Sequence, residues 1–188
     1  HKEVLKDWLA WIQAQLAASG VMINLAKKIS REDLEAKRPD AVILATGADP
    51  CTPGIPGLDA PQVVDARALL VGKSVSVGPA VILGGGHVGM ETADFLINQG
   101  IAVTILEQLA KQPVTTQTVR GYWLYKRLRR SRNRLITGAR VMKVTPDGVY
   151  YIHEEQELYL PAKLVVTALG ARPNNALKTA LEELDIFY

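Results

Sequence analysis

The sequence predicts an α/β fold built around a parallel β-sheet. Three observations predict it. Amphipathic helical segments alternate with short apolar segments of strand length along the chain. The segment over residues 80–83 is continuously apolar, as parallel strands buried on both faces are. This segment runs through three glycines into a helical pattern and then a second apolar segment, which is the order of a βαβ unit.

The first elements justify this prediction in the part of the chain before residue 79. Apolar positions at helical spacing predict a helix from Val4 to Leu16 that ends at Gly20, and alternation predicts a strand over 21–25. Ser30 and Asp33 have the spacing of a capping box that opens a short helix. A buried strand over 40–45, a Pro/Gly-rich loop over 47–57 and a short helix over 65–70 follow.

The elements after residue 79 form the second α/β unit. A boundary over 72–79 precedes it. The predicted elements are a strand at 80–83, a helix at 88–98 with Gly100 as its C-cap, a strand at 101–106, a polar helix at 118–131, strands near 135, 140–145, 149–153 and 158 with a hairpin turn at 146–148, and a last strand at 163–168. The strand ends Ala45–Gly47 and Ala168–Gly170 are similar in sequence, so we expect both strands to return to one sheet.

Composition sets limits on the function. The chain has 188 residues, 48% hydrophobic and 22% charged, which is typical of a packed domain with room for one core or two small ones. Its single cysteine, Cys51, excludes an internal disulfide, a four-thiolate metal centre and a two-thiol redox centre within this sequence. We find no apolar stretch of membrane-spanning length and no signal sequence, so the expected location is cytoplasmic.

The glycine-rich turn carries the main functional prediction. Gly84-Gly85-Gly86-His87-Val88-Gly89 fits G-x-G-x-x-G between a strand and a helix, and Glu107 follows 21 residues after Gly86 at the end of the next strand. Gly84 allows the tight turn, Gly86 lets the backbone approach a pyrophosphate, and Gly89 lets the helix pack closely on the strand. The helix N-terminus offers N–H groups to phosphates. This context favours dinucleotide binding over the alternative, a tight turn that binds nothing.

Glu107 also predicts which dinucleotide is bound. Its carboxylate would accept hydrogen bonds from the adenine-ribose hydroxyls and repel a 2′-phosphate. Gln108, Leu109 and Ala110 include no arginine to hold such a phosphate, although Lys111 is close by in sequence. NADH is therefore expected, and NADPH is the less favoured alternative.

Five segments resemble one family along nearly the whole chain. They are Pro39–Ala48, Pro53–Gly57, Gly84–Ala93, Val103–Glu107 and Ala168–Asn174. They are similar to the flavoproteins with two dinucleotide-binding domains, and most of all to the C-terminal half of the NADH:flavin oxidoreductases related to 2,4-dienoyl-CoA reductase, enoate reductase and trimethylamine dehydrogenase. The resemblance implies a Rossmann-like NAD-binding βαβ domain at 79–165, inserted in an incomplete FAD-type three-layer domain formed by 1–78 and 166–188.

The resemblance also assigns roles by position. Ala45, Thr46 and Gly47 match the segment beside the flavin, Glu91 matches a glutamate on the nicotinamide side, and His87 keeps only a backbone role. The return crossing near the nucleotide matches Ala168, Leu169 and Gly170. The whole predicted cofactor-binding set is Gly84, Gly85, Gly86, His87, Val88, Gly89, Glu91, Glu107, Gln108, Ala45, Thr46, Gly47, Ala168, Leu169 and Gly170. No residue of the chain is expected to act as a nucleophile or general base, and no metal site is expected.

These features predict cofactors and partners. NAD(H) is expected in this chain. FAD is expected in the complete enzyme, although the family's first FAD strand, with its own glycine motif, has no match here. The expected partner is therefore the FAD- and FMN-bearing portion, and unpaired strand edges predict a homodimer or a domain swap. The basic run 126–134 is interpreted as a solvated or docking face rather than a nucleic-acid site.

Two functions are compatible with these features. The chain is predicted to be the NADH-binding portion of a flavin-dependent oxidoreductase that passes hydride from NADH to FAD. The alternative is a non-catalytic module that binds an adenine nucleotide or docks a subunit.

Overall fold

The computed structural model describes residues 4–72, 78–129 and 133–188. The helices are α1 (Val4–Ala18), α2 (Arg31–Lys37), α3 (Ala66–Leu70), α4 (His87–Asn98), α5 (Val119–Leu128) and α6 (Lys178–Glu183). The strands are β1 (Ala48–Pro50), β2 (Val63–Asp65), β3 (Ala80–Leu83), β4 (Val103–Leu106), β5 (Arg134–Ile136), β6 (Arg140–Thr145), β7 (Gly148–His153), β8 (Gln156–Pro161), β9 (Leu164–Thr167) and β10 (Ala171–Pro173). The fold class is therefore α/β, as predicted.

The chain forms two compact units, residues 46–174 and residues up to 45 together with 175–188. The predicted domain boundaries, near 78–79 and 165–166, differ from these bounds and stay a prediction about the family's modules. One reason for the difference is β2, which precedes the predicted boundary but pairs in parallel with β9. The segment 73–77, within the predicted boundary, lies outside the described residues.

The larger unit is organised around a parallel sheet with strand order β2-β9-β3-β4-β5. The four residues of β3 are all buried, because side chains on both faces of a central parallel strand are covered. On one face, Ile82 packs in a core with Met90 and Leu96 of α4. On the other face, Val81 and Leu83 pack with residues of β6 and β7. The sheet is thus a middle layer between helices and a second sheet.

The second sheet of this unit is an antiparallel meander in the order β6-β7-β8. The predicted hairpin turn at 146–148 is confirmed, since Thr145 pairs with Gly148 across it. Gly148 is required there, because a Cβ atom on it would lie 2.1 Å from the Leu160 carbonyl oxygen. The meander covers one face of the parallel sheet, where Val144 and Val149 join the core formed by Val81 and Leu83.

The smaller unit agrees with the sequence in its helices but not in its strands. Helix α1 is confirmed, with none of its described residues buried, and the capping box of α2 is present with Ser30 and Asp33 bonded reciprocally. The core of this unit consists of Leu34, Ala180, Leu181, Leu184 and Ile186, with Val42, Leu44 and Leu177 packed against it. None of the helices in the described ranges is long and apolar enough to cross a membrane.

The two strands predicted in this unit are corrections. The strand predicted over 21–25 does not form, and these residues are exposed without strand pairing. The strand predicted over 40–45 is reduced to one bridge, in which Ala41 pairs with Phe187 and the Val42 N–H donates to the Phe187 carbonyl at 2.8 Å. Alternation or an apolar run marks a segment that fits a sheet, but a strand forms only where a neighbour accepts its hydrogen bonds. The expectation that 40–45 and 163–168 return to one sheet is therefore wrong.

Candidate dinucleotide-binding site

The glycine turn after β3 is held by the protein's own packing at Gly84. Its φ of +103° lies in the region that favours glycine. A Cβ atom on Gly84 would lie 2.4 Å from the Ala168 carbonyl oxygen. The turn therefore needs glycine for both its backbone conformation and its close approach to the end of β9.

Packing also requires glycine at position 89 and leaves little room for a side chain at position 85. A Cβ atom on Gly89 would lie 1.9 Å from the Gly84 carbonyl oxygen, so α4 could not approach the turn as closely with any other residue. A Cβ atom on Gly85 would lie 3.2 Å from the Cβ of Glu107 and 3.2 Å from Cδ1 of Leu135. The loop is thus packed against the ends of β4 and β5.

Gly86 is different, because nothing in the described structure requires it to be glycine. It is the N-cap of α4 with φ −65° and ψ −176°, a conformation that any residue adopts. A Cβ atom on Gly86 would meet no atom within 4 Å. No side chain caps this end of α4, and its first turn has no acidic residue. The helix N-terminus is therefore open for an anion at the position where the motif predicts a pyrophosphate.

The carboxylate of Glu107 is hydrogen-bonded to the glycine turn after β3. Glu107 directly follows β4 and is 7% exposed. Its Oε2 accepts the Gly85 N–H at 2.7 Å, and its Oε1 accepts the Leu109 N–H at 2.8 Å. Each carboxylate oxygen can accept more than one hydrogen bond, so the group keeps acceptor capacity while its position is fixed. The glycine loop and the predicted ribose-binding acid are therefore one hydrogen-bonded structure.

A cavity of about 580 Å³ lies along the chain that follows Glu107. It is lined by Ala110, Lys111, Gln112, Pro113, Val114, Thr115, Thr116, Gln117 and Thr137. Gln108 and Leu109, between Glu107 and this cavity, are exposed. The Tyr125 hydroxyl donates to the Val114 carbonyl at 3.1 Å, and burial raises the pKa of this hydroxyl above its ordinary value. This contact ties α5 to the loop that borders the site.

The side chain of Glu91 on α4 contacts a residue of α5. Its carboxylate forms an ion pair with Arg120 in the first turn of α5. One turn further along α4, Asp94 pairs with Arg127 through two contacts, of which Nη2 to Oδ2 measures 3.0 Å. The sequence alone does not single out Arg120. The sequence signal for this pairing is weak. It consists of two arginines seven residues apart on α5 and two acids three residues apart on α4, and only the packing of the two helices brings them together.

The basic run is partly accounted for by this packing. Arg127 pairs with Asp94, and the Lys126 ammonium lies 4.5 Å from the ring centre of Trp123, a cation–π distance. Arg130 and Arg132 lie outside the described residues. The interpretation of this run as a solvated or docking face stays a prediction.

The return crossing at the end of β9 borders the glycine turn. The Ala168 N–H donates to the Leu83 carbonyl at 2.8 Å, and Leu169 N would lie 3.6 Å from a Cβ atom on Gly84. Gly170 accepts the Cys51 N–H at 3.0 Å and has φ +87°. The structure thus brings Ala168 and Leu169 to the predicted nucleotide loop.

The segment predicted to lie beside the flavin, Ala45 to Gly47, directly precedes β1, which pairs with β10. The Thr46 hydroxyl donates to the Asn174 carbonyl at 2.5 Å, and the Asn174 N–H donates to the Gly47 carbonyl at 2.9 Å. Ala45 belongs to the smaller unit and is exposed. His87 and Val88 are also exposed, on the first turn of α4. The flavin-side role of Ala45, Thr46 and Gly47 and the nicotinamide-side role of Glu91 stay predictions.

These features define a class of protein. A parallel sheet, a glycine turn between a strand and a helix, and an acid at the end of the next strand are the parts of a Rossmann-type dinucleotide-binding fold. The match of a family model is more specific: residues 3–186 match the model described as Pyridine nucleotide-disulphide oxidoreductase. The chain belongs to this family of oxidoreductases, whose cofactors are FAD and NAD(H).

Individual relatives match along nearly the whole chain. A bilirubin reductase of Mediterraneibacter gnavus is 34% identical over 97% of this chain and 28% of its own length. An NADH oxidase of Thermoanaerobacter brockii is 33% identical over 98% of this chain and 29% of its own length. The solved structure of a 2-naphthoyl-CoA reductase bound to 2-naphthoyl-CoA superposes with a TM-score of 0.79 at 25% identity, over 94% of this chain and 27% of that one. The chain thus spans less than a third of the length of these relatives.

Proposed function

We propose that this chain is the NAD(H)-binding portion of a flavin-dependent oxidoreductase of the 2,4-dienoyl-CoA reductase-like type, in which hydride passes from NADH to FAD. The observation that carries the proposal is the difference among the glycines. Gly84, Gly85 and Gly89 are close to atoms of the protein itself, whereas Gly86 faces open space in an ordinary backbone conformation. A glycine that the fold does not need, at an uncapped helix N-terminus, indicates close approach by a ligand.

The residues at this edge fit the two charged or polar parts of NADH nearest the loop. N–H groups of the first turn of α4 are available to the diphosphate, since no side chain caps them. Glu107 accepts the ribose hydroxyls with acceptor capacity beyond its bonds to Gly85 and Leu109. The same carboxylate repels a 2′-phosphate, which supports NADH over NADPH. The chain's own contribution is therefore binding and orientation, and the nicotinamide supplies the hydride.

For FAD, the described residues do not show a comparable cradle. The polar groups of the predicted flavin-side segments hydrogen-bond to one another. The Thr46 hydroxyl donates to the Asn174 carbonyl, and the Asn174 N–H donates to the Gly47 carbonyl. The Gly170 carbonyl accepts the Cys51 N–H. We therefore assign the main FAD contacts to sequence that the longer relatives have and this chain does not match. That FAD-bearing portion is the proposed partner. The homodimer or domain swap stays a prediction, and the strands expected over 21–25 and 40–45 do not form to supply edges for it.

The subfamily is supported by coverage. The bilirubin reductase, the NADH oxidase and the 2-naphthoyl-CoA reductase each align with nearly the whole of this chain. The names of the two reductases give different compounds that are reduced, bilirubin and 2-naphthoyl-CoA, whereas the name of the oxidase gives NADH. This chain's similarity to all three supports a shared NADH-side module, and the acceptor of this protein is set by other parts of the enzyme.

Gly86→Ala tests the proposal directly. The added methyl group meets no protein atom, so the fold is retained with at most a small loss because alanine is a poorer N-cap than glycine. The methyl group does occupy the space assigned to the diphosphate, and such overpacking costs about 1 to 3 kcal/mol. We expect NADH affinity, measured by titration of its fluorescence, to fall roughly 5- to 150-fold.

The chain offers a matched control in Gly54→Ala. Gly54 also has no atom within 4 Å of a built Cβ and no positive φ, but it lies in the loop before β2. This variant should bind NADH as the parent chain does. Equal NADH affinity in the parent and Gly86→Ala, with both folded by circular dichroism, would show that no ligand approaches Gly86.

A further inference from the structure

We propose that Arg120 binds the diphosphate of the dinucleotide, and that Glu91 holds the Arg120 guanidinium beside the site until the ligand competes for it. This inference rests on the proposed function and adds a binding residue to it. It starts from the ion pair between Glu91 and Arg120, which joins α4 to α5.

The topology places this pair toward the ligand edge of the sheet. Helices α4 and α5 follow the parallel strands β3 and β4, so both begin at the edge formed by the carboxyl ends of those strands. Arg120 is the second residue of α5, and Glu91 is the fifth residue of α4, roughly 6 Å along the helix axis from His87. Both side chains therefore start close to the N-terminal ends of helices that begin at the edge of the predicted diphosphate site.

The backbone of Arg120 is well anchored. The Thr118 hydroxyl caps α5 by accepting the Gly121 N–H at 3.1 Å. A Cβ atom on Gly121 would lie 1.9 Å from the Thr115 carbonyl oxygen, so this helix start is packed tightly on the preceding loop. The guanidinium is thus presented from a fixed position rather than from a loose segment.

The two ion pairs between α4 and α5 differ in how far they are buried, and this difference indicates which of them holds the helices together. In the deeper pair, the Asp94 and Arg127 side chains are 11% and 33% exposed and make two contacts. In the outer pair, Glu91 and Arg120 are 22% and 55% exposed. The deeper pair already ties the helices together, and an exposed pair adds little to stability. The outer guanidinium is the one that a ligand can reach.

The charges at this edge favour exchange of partners. The first turns of α4 and α5 have no acidic residue, so Glu91 is the first acid along α4 and lies near two positive helix ends. A guanidinium has five N–H donors, which is more than the two oxygens of a single carboxylate can satisfy. It binds phosphate oxygens through two parallel hydrogen bonds, as it binds a carboxylate. A diphosphate at the α4 N-terminus therefore offers Arg120 a more highly charged partner than Glu91.

The test measures the affinity of the 188-residue chain for ADP-ribose, which has the diphosphate and no nicotinamide, by calorimetry. Arg120→Gln should weaken ADP-ribose binding about tenfold, the loss of one charge-assisted contact. Glu91→Gln should strengthen it a few-fold, because it releases Arg120 and removes a repelling carboxylate. Arg127→Gln breaks the deeper clamp and should leave ADP-ribose affinity unchanged in the fraction that is folded.

The opposite changes in ADP-ribose affinity expected for Arg120→Gln and Glu91→Gln distinguish a binding role of Arg120 from a structural role. If the outer pair only held the helices together, Arg120→Gln and Glu91→Gln would lower the affinity alike, and that result would overturn the inference. Unchanged affinity in Arg120→Gln would also overturn it while leaving the proposed function intact, provided that the parent chain binds ADP-ribose. A parent chain that binds neither ADP-ribose nor NADH would overturn both.

A further arm identifies the phosphate involved. Under the proposal, Arg120→Gln weakens NADH and ADP-ribose by the same factor, and added salt weakens both ligands less in the variant than in the parent. A loss found for NADPH alone would mean that Arg120 contacts a 2′-phosphate instead, which contradicts the assignment to the diphosphate.

Discussion

Replacement of Glu107 by glutamine tests whether one side chain serves both the fold and the ligand. In the structure both carboxylate oxygens are acceptors, Oε2 for the Gly85 N–H at 2.7 Å and Oε1 for the Leu109 N–H at 2.8 Å. A glutamine has one amide oxygen and one NH₂ group. One of the two backbone N–H groups would therefore face another donor in a site where the residue is 7% exposed.

The magnitude follows from that mismatch. The glutamine amide oxygen can keep the buried Gly85 N–H, so the mismatch falls on the Leu109 N–H, whose hydrogen bond is only part-buried. Loss of such a hydrogen bond costs about 0.5 to 1.5 kcal/mol. For a chain of this size each kcal/mol lowers the melting temperature by roughly 2 to 4 °C, so Glu107→Gln should melt roughly 1 to 6 °C lower than the parent chain. The variant should also bind NADH more weakly, because the ribose hydroxyls lose a charged acceptor.

The assay is thermal melting followed by circular dichroism, with NADH titration of the folded variant. Glu157→Gln is the matched control, since Glu157 lies in β8 with an exposed side chain, and its melting temperature should stay within error of the parent value. If Glu107→Gln melts with the parent chain, the two backbone N–H groups do not depend on this carboxylate, and the reasoning about the loop is wrong.

Two further predictions concern single packing and charge features. Gly89→Ala would place a methyl group 1.9 Å from the Gly84 carbonyl oxygen, so it should destabilise the chain by about 1 to 3 kcal/mol even without ligand, unlike Gly86→Ala; equal melting temperatures for these two variants would contradict the steric distinction. A hydrogen bond from the Lys27 ammonium, with one from the Ser30 N–H, holds the pKa of Asp33 below its ordinary value of 3.8. Because the folded pKa is the lower one, the stabilisation from the bonds that the Asp33 carboxylate accepts is fully present above pH 3.8 and is lost as the pH falls through the lowered value. An NMR titration of Asp33 should show this, and a midpoint at or above 3.8 would refute it.

The central βαβ unit is the part of the fold that local sequence predicted well. The strand at 80–83 and the helix after it have a strong local signal, because a short apolar run, three glycines and a helical repeat can coexist in few other structures. Glu107 was found from its distance to Gly86 along the chain, since a βαβ unit of ordinary length brings those positions together. Its hydrogen bond to Gly85 is consistent with that expectation.

The strands of the smaller unit show where local sequence is insufficient. Residues 21–25 alternate as a strand does, and residues 41–45 are as apolar as those of β3. Of these three segments, β3 alone has parallel neighbours on both sides, in β4 and β9. Strand formation depends on a partner's N–H and C=O groups, which are remote in sequence, so two similar segments can have different structures.

By itself, the sequence determined the fold class, the glycine turn and the type of ligand that the turn suits, because these depend on residues that are adjacent or separated by one βαβ unit. Only the tertiary structure decided which glycines the packing requires and which one faces open space. It also decided that Glu91 meets Arg120, since that pair depends on how α4 packs against α5. Contacts between helices are set by the sheet that orients them, and no local pattern in either helix specifies its partner.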